Sequence, residues 1–288
     1  MVGQRALPAV ELSVPGMKSI VVHIDASPRS AERLGYALRL ARRHGAELTA
    51  LYGVIPSMMV SPGFTAEGVA AVASLMADLD RSQRQQARET FERVASQGPV
   101  KWAEAQGEIL LASLRRHALL SDLLVLGQHD RQDNRTGALP ADLAPSLIIE
   151  SGRPALVVPY AGTFVDDASC VLLAWKSSRE SARAATAALP WLRLARRIVV
   201  AHQPQDEQDD DYPALVHWMR LHGVNGPVEQ QRLVGLDVGN GLLSLAGDLS
   251  AGLLVMGCYG HSRTREWAFG GATRTVLESM TLPVLMGH

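Results

Sequence analysis

Apolar residues fall along this chain in two patterns. Short runs such as IVVHI at 20–24, LLVLG at 123–127 and ALVVP at 155–159 are apolar throughout instead of alternating. That is the signature of strands buried on both faces of a parallel sheet. Between the runs lie longer stretches with apolar residues three and four apart, which predict amphipathic helices. One is expected at 28–44, with Ser27 as N-cap, Pro28 at the first helical position and Gly45 as the C-terminal stop. A long one is expected at roughly 66–97, before the strand VKWAEA.

The pattern repeats once. KSIVVHIDAS at 18–27 matches SCVLLAWKSS at 169–178, and SDLLVLGQHD at 121–130 matches AGLLVMGCYG at 251–260. LIIESGRPALVVP at 147–159 matches VLESMTLPVLMGH at 276–288. Early landmarks are offset by about 151 residues and late ones by about 129–130, so the second copy has lost about twenty residues from its middle. Alternating strands and helices with short connections require right-handed crossovers. The expected fold is therefore α/β, two tandem doubly wound parallel-sheet domains at 17–160 and 167–288. A flexible lead-in at 1–16 precedes them, and the linker YAGTFVDD joins them.

Composition narrows the function classes. The chain has 288 residues, 47% hydrophobic and 20% charged, as ordinary globular proteins do. With 28 basic and 29 acidic residues, its net charge of −1 gives no electrostatic reason to bind nucleic acid or an anionic membrane. Cys170 and Cys258 form no CxxC pair, and the lead-in has no long apolar core. Both features point to a soluble, reduced, cytoplasmic setting.

The segment with the most chemistry is MGCYGHSRTREWAFGGATRTVLESM at 256–280. Gly257 ends a buried strand, Gly260 follows after two intervening residues, and Gly270 after nine more. Gly271, Ala272 and Thr273 then open a helix. Glycines admit a ligand close to the backbone, and a helix N-terminus offers free N–H groups to an anion. The same residues also suit a tight strand–loop–helix turn with no ligand.

This segment resembles the universal stress protein family, whose nucleotide-binding members carry G-x2-G-x9-G followed by Ser or Thr. Gly257, Gly260 and Gly270 match the glycines, and Gly271 stands where the Ser or Thr belongs. The amide N–H survives there, but a hydroxyl bond to phosphate worth ~1.5–3 kcal/mol is lost. Thr273 is a candidate substitute, and Arg263 and Arg265 lie in the loop. The resemblance implies Rossmann-like, adenine nucleotide alpha hydrolase-like domains, stress-response binding, ATP as the candidate nucleotide, and no metal.

The family also keeps an Asp after the first strand that accepts hydrogen bonds from the adenine or ribose side. Asp25 holds that place in the first copy, as a vestigial contact. In the second copy Lys176 does, and it can donate to a phosphate but cannot accept. The first copy's loop, QHDRQDNRTGALP, has Asp130 in place of the second glycine and Asp133 soon after, which repel phosphate. Whatever nucleotide affinity exists is expected in the second copy, and the first is expected to be structural or protein-binding.

Family members often dimerise through their last strands. Here residues 155–158 and 284–286 are expected to pair as an internal pseudo-dimer, with a homodimer and an unidentified protein partner compatible with it. No GxxxxGK P-loop occurs, Gly239-Asn240-Gly241 reads as a turn, and the acidic run at 206–211 reads as a solvated loop.

Overall fold

The computed structural model describes residues 16–60, 69–105, 110–130, 140–164, 168–202, 211–233, 237–258 and 271–288. The first half runs β1 (Ser19–Ile24), α1 (Arg29–His44), β2 (Glu47–Tyr52), α2 (Ser57–Val60), α3 (Val69–Ala95) and β3 (Lys101–Glu104). It continues through α4 (Leu110–Ala118), β4 (Leu123–Gly127), α5 (Leu143–Ser151) and β5 (Ala155–Val158). The second half runs β6 (Cys170–Trp175), α6 (Arg179–Leu192), β7 (Arg197–His202), α7 (Tyr212–Leu221) and β8 (Val228–Arg232). It ends with α8 (Val238–Asp248), β9 (Leu253–Gly257), α9 (Gly271–Ser279) and β10 (Val284–Gly287).

All ten strands join one sheet, in the order β3-β2-β1-β4-β5-β10-β9-β6-β7-β8. Read outward from the centre, each side gives its strands in the same sequence. Neighbours are parallel except at the centre, where β5 and β10 are antiparallel. There Val157 faces Val284, Leu156 faces Leu285 and Ala155 faces Met286. All six are fully buried. Burying a Val or Leu side chain stabilises by about 1.5–3 kcal/mol, so the junction is a core and not a loose contact.

The all-apolar strands are explained by helices on both faces. Ile20, Val22 and Ile24 of β1 pack in one layer with residues of α1, α3, α6 and α7. Val21 points the other way, into a layer with residues of α4, α5, α8 and α9. The twenty-residue loss lies on the outer side of the repeat: α3 has 27 residues and its counterpart α7 has 10. No helix among the described residues is long and apolar enough to cross a membrane.

Two local expectations are corrected. Pro28, not Ser27, is the capping position of α1, and no side chain caps it. The Ser27 carbonyl instead accepts from the Ser30 amide at 3.0 Å. Gly45 does end the helix in a left-handed conformation, φ 60°. Gly239-Asn240-Gly241 is not a turn but the first turn of α8. Asp237 caps it, accepting from the Asn240 amide at 3.1 Å.

Close packing against α9 accounts for Gly239. A β-carbon there would lie 2.6 Å from Thr275 Cβ and 3.2 Å from Ala272 Cα. Gly239→Ala gains ~1 kcal/mol of helix propensity, but neither neighbour is the free end of a flexible chain. The clash, ~1–3 kcal/mol, wins, and the variant is expected to melt below the parent in a thermal scan.

Candidate functional site

Open α/β sheets bind ligands outside the carboxyl ends of strands where the strand order reverses. In the first half that place is between β1 and β4; in the second it is between β6 and β9. Asp25 follows β1, Gln128 follows β4, Lys176 follows β6 and Cys258 follows β9.

The first-half crevice is filled from within. Asp25 Oδ1 accepts from the Ser27 amide at 2.8 Å and the Ser30 hydroxyl at 2.7 Å. Arg33, on the second turn of α1, reaches back over the strand ends and is 5% exposed. Its Nε donates to the His23 carbonyl at 2.6 Å, and its Nη2 donates to Ser30 Oγ at 3.0 Å. Nη2 also lies 3.6 Å from Asp25 Oδ2. The guanidinium lies over Gly127, where a β-carbon would be 2.3 Å from Nη1.

The charges follow from this geometry. Burial opposes ionisation of Asp25, but Arg33, His23 and the two serine bonds outweigh it and hold its carboxyl well below the usual carboxylate range. Burial, with Arg33 adding to it, lowers His23 to about 4. The neutral ring donates from Nε2 to the Gly53 carbonyl at 2.8 Å. Asp25 thus already meets three donor groups from its own chain. Asp130 is half-buried beyond β4, and Asp133 lies outside the described residues.

The second-half crevice is built differently. Lys176 is exposed. The loop it sits on is tied down by Asp211, which accepts from Trp175 Nε1 at 2.9 Å and from the Ser177 hydroxyl. One member of the acidic run therefore has a structural task. Ser178 caps α6, accepting from the Ser181 amide at 3.2 Å. The helix then comes down on the strand end: a β-carbon on Gly257 would lie 2.6 Å from the Ser181 amide nitrogen and 2.7 Å from the Glu180 carbonyl carbon. Gly257 is thus glycine because a helix backbone covers it. Glu180 is buried there, 3% exposed, beside the exposed Arg179 that donates to it. Burial opposes its ionisation, but Arg179, its own backbone N–H and the Ser178 hydroxyl outweigh that and lower its pKa.

Gly271 opens α9 and is exposed, and no atom of the described residues lies within 4 Å of where a β-carbon would stand. Thr273 shares the buried face of α9 with Val276, which turns the expected substitute hydroxyl toward the packed side. Gly260, Arg263, Arg265 and Gly270 lie outside the described residues. Cys258 is buried, and burial, with Glu180 nearby, pushes its thiol up to about 12. No group of three or more His, Cys, Asp or Glu placed to hold a metal ion occurs among the described residues.

Sequence reasoning missed three residues: Arg33, Glu180 and Gln128. Gln128 ties the two halves together, donating from Nε2 to the Leu277 carbonyl of α9 at 2.9 Å and accepting from the Tyr160 amide at 3.0 Å.

Residues 16–159 match the model of the universal stress protein family. A universal stress protein from Archaeoglobus fulgidus superposes with a TM-score of 0.68 at 13% identity, over 93% of this chain and 96% of that one. A protein of unknown function from Pseudomonas aeruginosa PAO1 gives 0.53 at 14% identity, over 93% of this chain and 92% of that one. These likenesses show the fold, which spans both halves. No curated protein matches the sequence.

Proposed function

The chain belongs to the universal stress protein family, and from that premise we propose that it is a cytoplasmic stress-response protein that works by binding and association, not by catalysis. Its two halves, 17–160 and 167–288, act as an internal pseudo-dimer through 155–158 and 284–286. Whatever nucleotide affinity the chain has belongs to the second half, with ATP as the ligand. The observation that supports this reading is the Arg33 guanidinium, which pairs with Asp25 and lies over Gly127, so that a cation of the chain's own already sits at the first-half strand ends. The second half offers Lys176, the start of α9 at Gly271 and the loop with Gly260, Arg263 and Gly270. Loss of a carboxylate acceptor at Lys176 and of a hydroxyl at Gly271 makes that site weak, since each change costs ~1–3 kcal/mol.

The test is calorimetric titration of the full chain with ATP, with Gly271→Ser beside it. The serine β-carbon meets no atom of the described residues within 4 Å, and the fold is expected to be unchanged. One regained bond to a charged phosphate should tighten ATP roughly tenfold. Binding at two sites per chain would overturn the asymmetry. A nucleotide-independent scaffold is the second reading, favoured by the way α6 covers Gly257. Absence of ATP binding by both parent and Gly271→Ser would select it.

A further inference from the structure

We propose that the first-half crevice is a binding site that carries its own occupant: Arg33 is a tethered ligand in a compartment shaped for a planar cation. Three acceptors converge on its guanidinium from one continuous strand–turn–helix stretch, residues 23–30. They are the His23 carbonyl at the end of β1, the Ser30 hydroxyl at the start of α1, and the Asp25 carboxylate on the turn between. Gly127 supplies a wall without a side chain, and a β-carbon there would lie 2.3 Å from Arg33 Nη1 and 3.2 Å from Cζ.

A packing role alone does not call for this residue. Burying a charge is costly unless it is paired and hydrogen-bonded. Apart from Ser30 and Tyr36, the neighbours of Arg33 among the buried residues of α1 are apolar, with Ala37 and Leu40 one and two turns on. The residue at the matching place in α6 is Ala184. The charge is therefore set against acceptors that are already in position. Two of those acceptors hold one another without Arg33: the Asp25 amide donates to Ser30 Oγ at 2.9 Å, and the Ser27 amide and the Ser30 hydroxyl both donate to Asp25 Oδ1. His23 does not compete as a cation, because its ring is neutral and committed to Gly53. A preorganised set of acceptors keeps its affinity when the tethered group is removed. The ligand class is then a guanidinium or amidinium, which Arg33 keeps out of the parent chain.

The experiment uses the full chain and the Arg33→Ala variant with methylguanidinium chloride at millimolar concentration, well below denaturing levels. Tetramethylammonium chloride is the control, a cation that is neither planar nor a donor. The variant is expected to melt several degrees below the parent. Methylguanidinium should then raise its melting temperature with dose and bind one-to-one by calorimetry, while the parent shows neither effect. Equal responses of parent and variant, or equal effects of the two cations, overturn the proposal. If Arg33→Ala does not fold alone, it is refolded with and without methylguanidinium, and Arg33→Gln is run in parallel. Folding only with the probe supports the site; failure of both variants under both conditions overturns it. The probe has neither base nor phosphate, so the result stands apart from any nucleotide binding by the second half.

Discussion

Replacing Gly257 with alanine is expected to lower folding stability by about 3 kcal/mol, the upper end of the usual cost of overpacking. The added β-carbon would stand 2.6 Å from Ser181 N and 2.7 Å from the Glu180 carbonyl carbon, both backbone atoms of α6. Backbone cannot swing aside as a side chain does. Nor can the helix lift at one end, because Gly287 on β10 touches it too, with Ala184 N 2.7 Å from a β-carbon there. The strain must pass into the whole helix or into the strand ends. At Gly127 the contact is the end of the Arg33 side chain, so Gly127→Ala should cost less. Urea unfolding at neutral pH reads both variants. Were Gly257 glycine only to admit a ligand, Gly257→Ala would keep the parent's unfolding midpoint and lose ATP affinity alone. An unchanged midpoint would therefore sink the packing account.

Much of the fold was legible because it rests on periodicity. Runs that are apolar at nearly every position, such as Ile20 to Ile24, admit one environment, while the pairing of 155–158 with 284–286 followed from the repeat and from the resembled family's dimerisation through its last strands. Local signals did less well where packing overrides propensity. Gly239 and Gly241 look like a turn, yet they sit in α8 because α9 presses on Gly239 and Asp237 supplies the cap. The site was less legible still. Asp25 and the glycines are visible as motif positions, but what occupies them is set by residues distant in sequence. A signal for Arg33 did exist. Ser30, Arg33, Leu34, Ala37 and Ala41 recur at helical spacing along the buried face of α1. A charge in such a stripe needs a buried partner, and Asp25, on the turn just before α1, is a candidate close along the chain beside Glu32. Glu180 gave no comparable signal, since an acidic residue in a first helical turn is expected on dipole grounds alone.

That buried network should also set how the chain responds to acid. His23 has a folded pKa of about 4, against 6.5 for an ordinary histidine, through burial first and Arg33 second. As pH falls below 6.5 the unfolded chain takes up a proton that the folded chain refuses until about 4. Across that window the unfolded state binds more protons, so stability rises with pH and falls on acidification. At 1.36 kcal/mol per pKa unit, His23 costs the fold about 3 kcal/mol between pH 7 and pH 4. His44, lowered by burial and then by Arg43, acts with the same sign. Asp25 behaves differently. Its folded pKa lies below the ordinary 3.8, so its stabilising contribution persists through this window and is lost only in stronger acid. Loss of stability should therefore begin near pH 6.5, well above the range where carboxylates titrate. The measurement is a set of urea midpoints at pH 7, 5.5 and 4.5 for the parent and for His23→Gln. Glutamine does not titrate and keeps an N–H donor for the Gly53 carbonyl, so the variant should lose most of the slope. A variant whose midpoints fall as steeply as the parent's would assign the acid response to other groups.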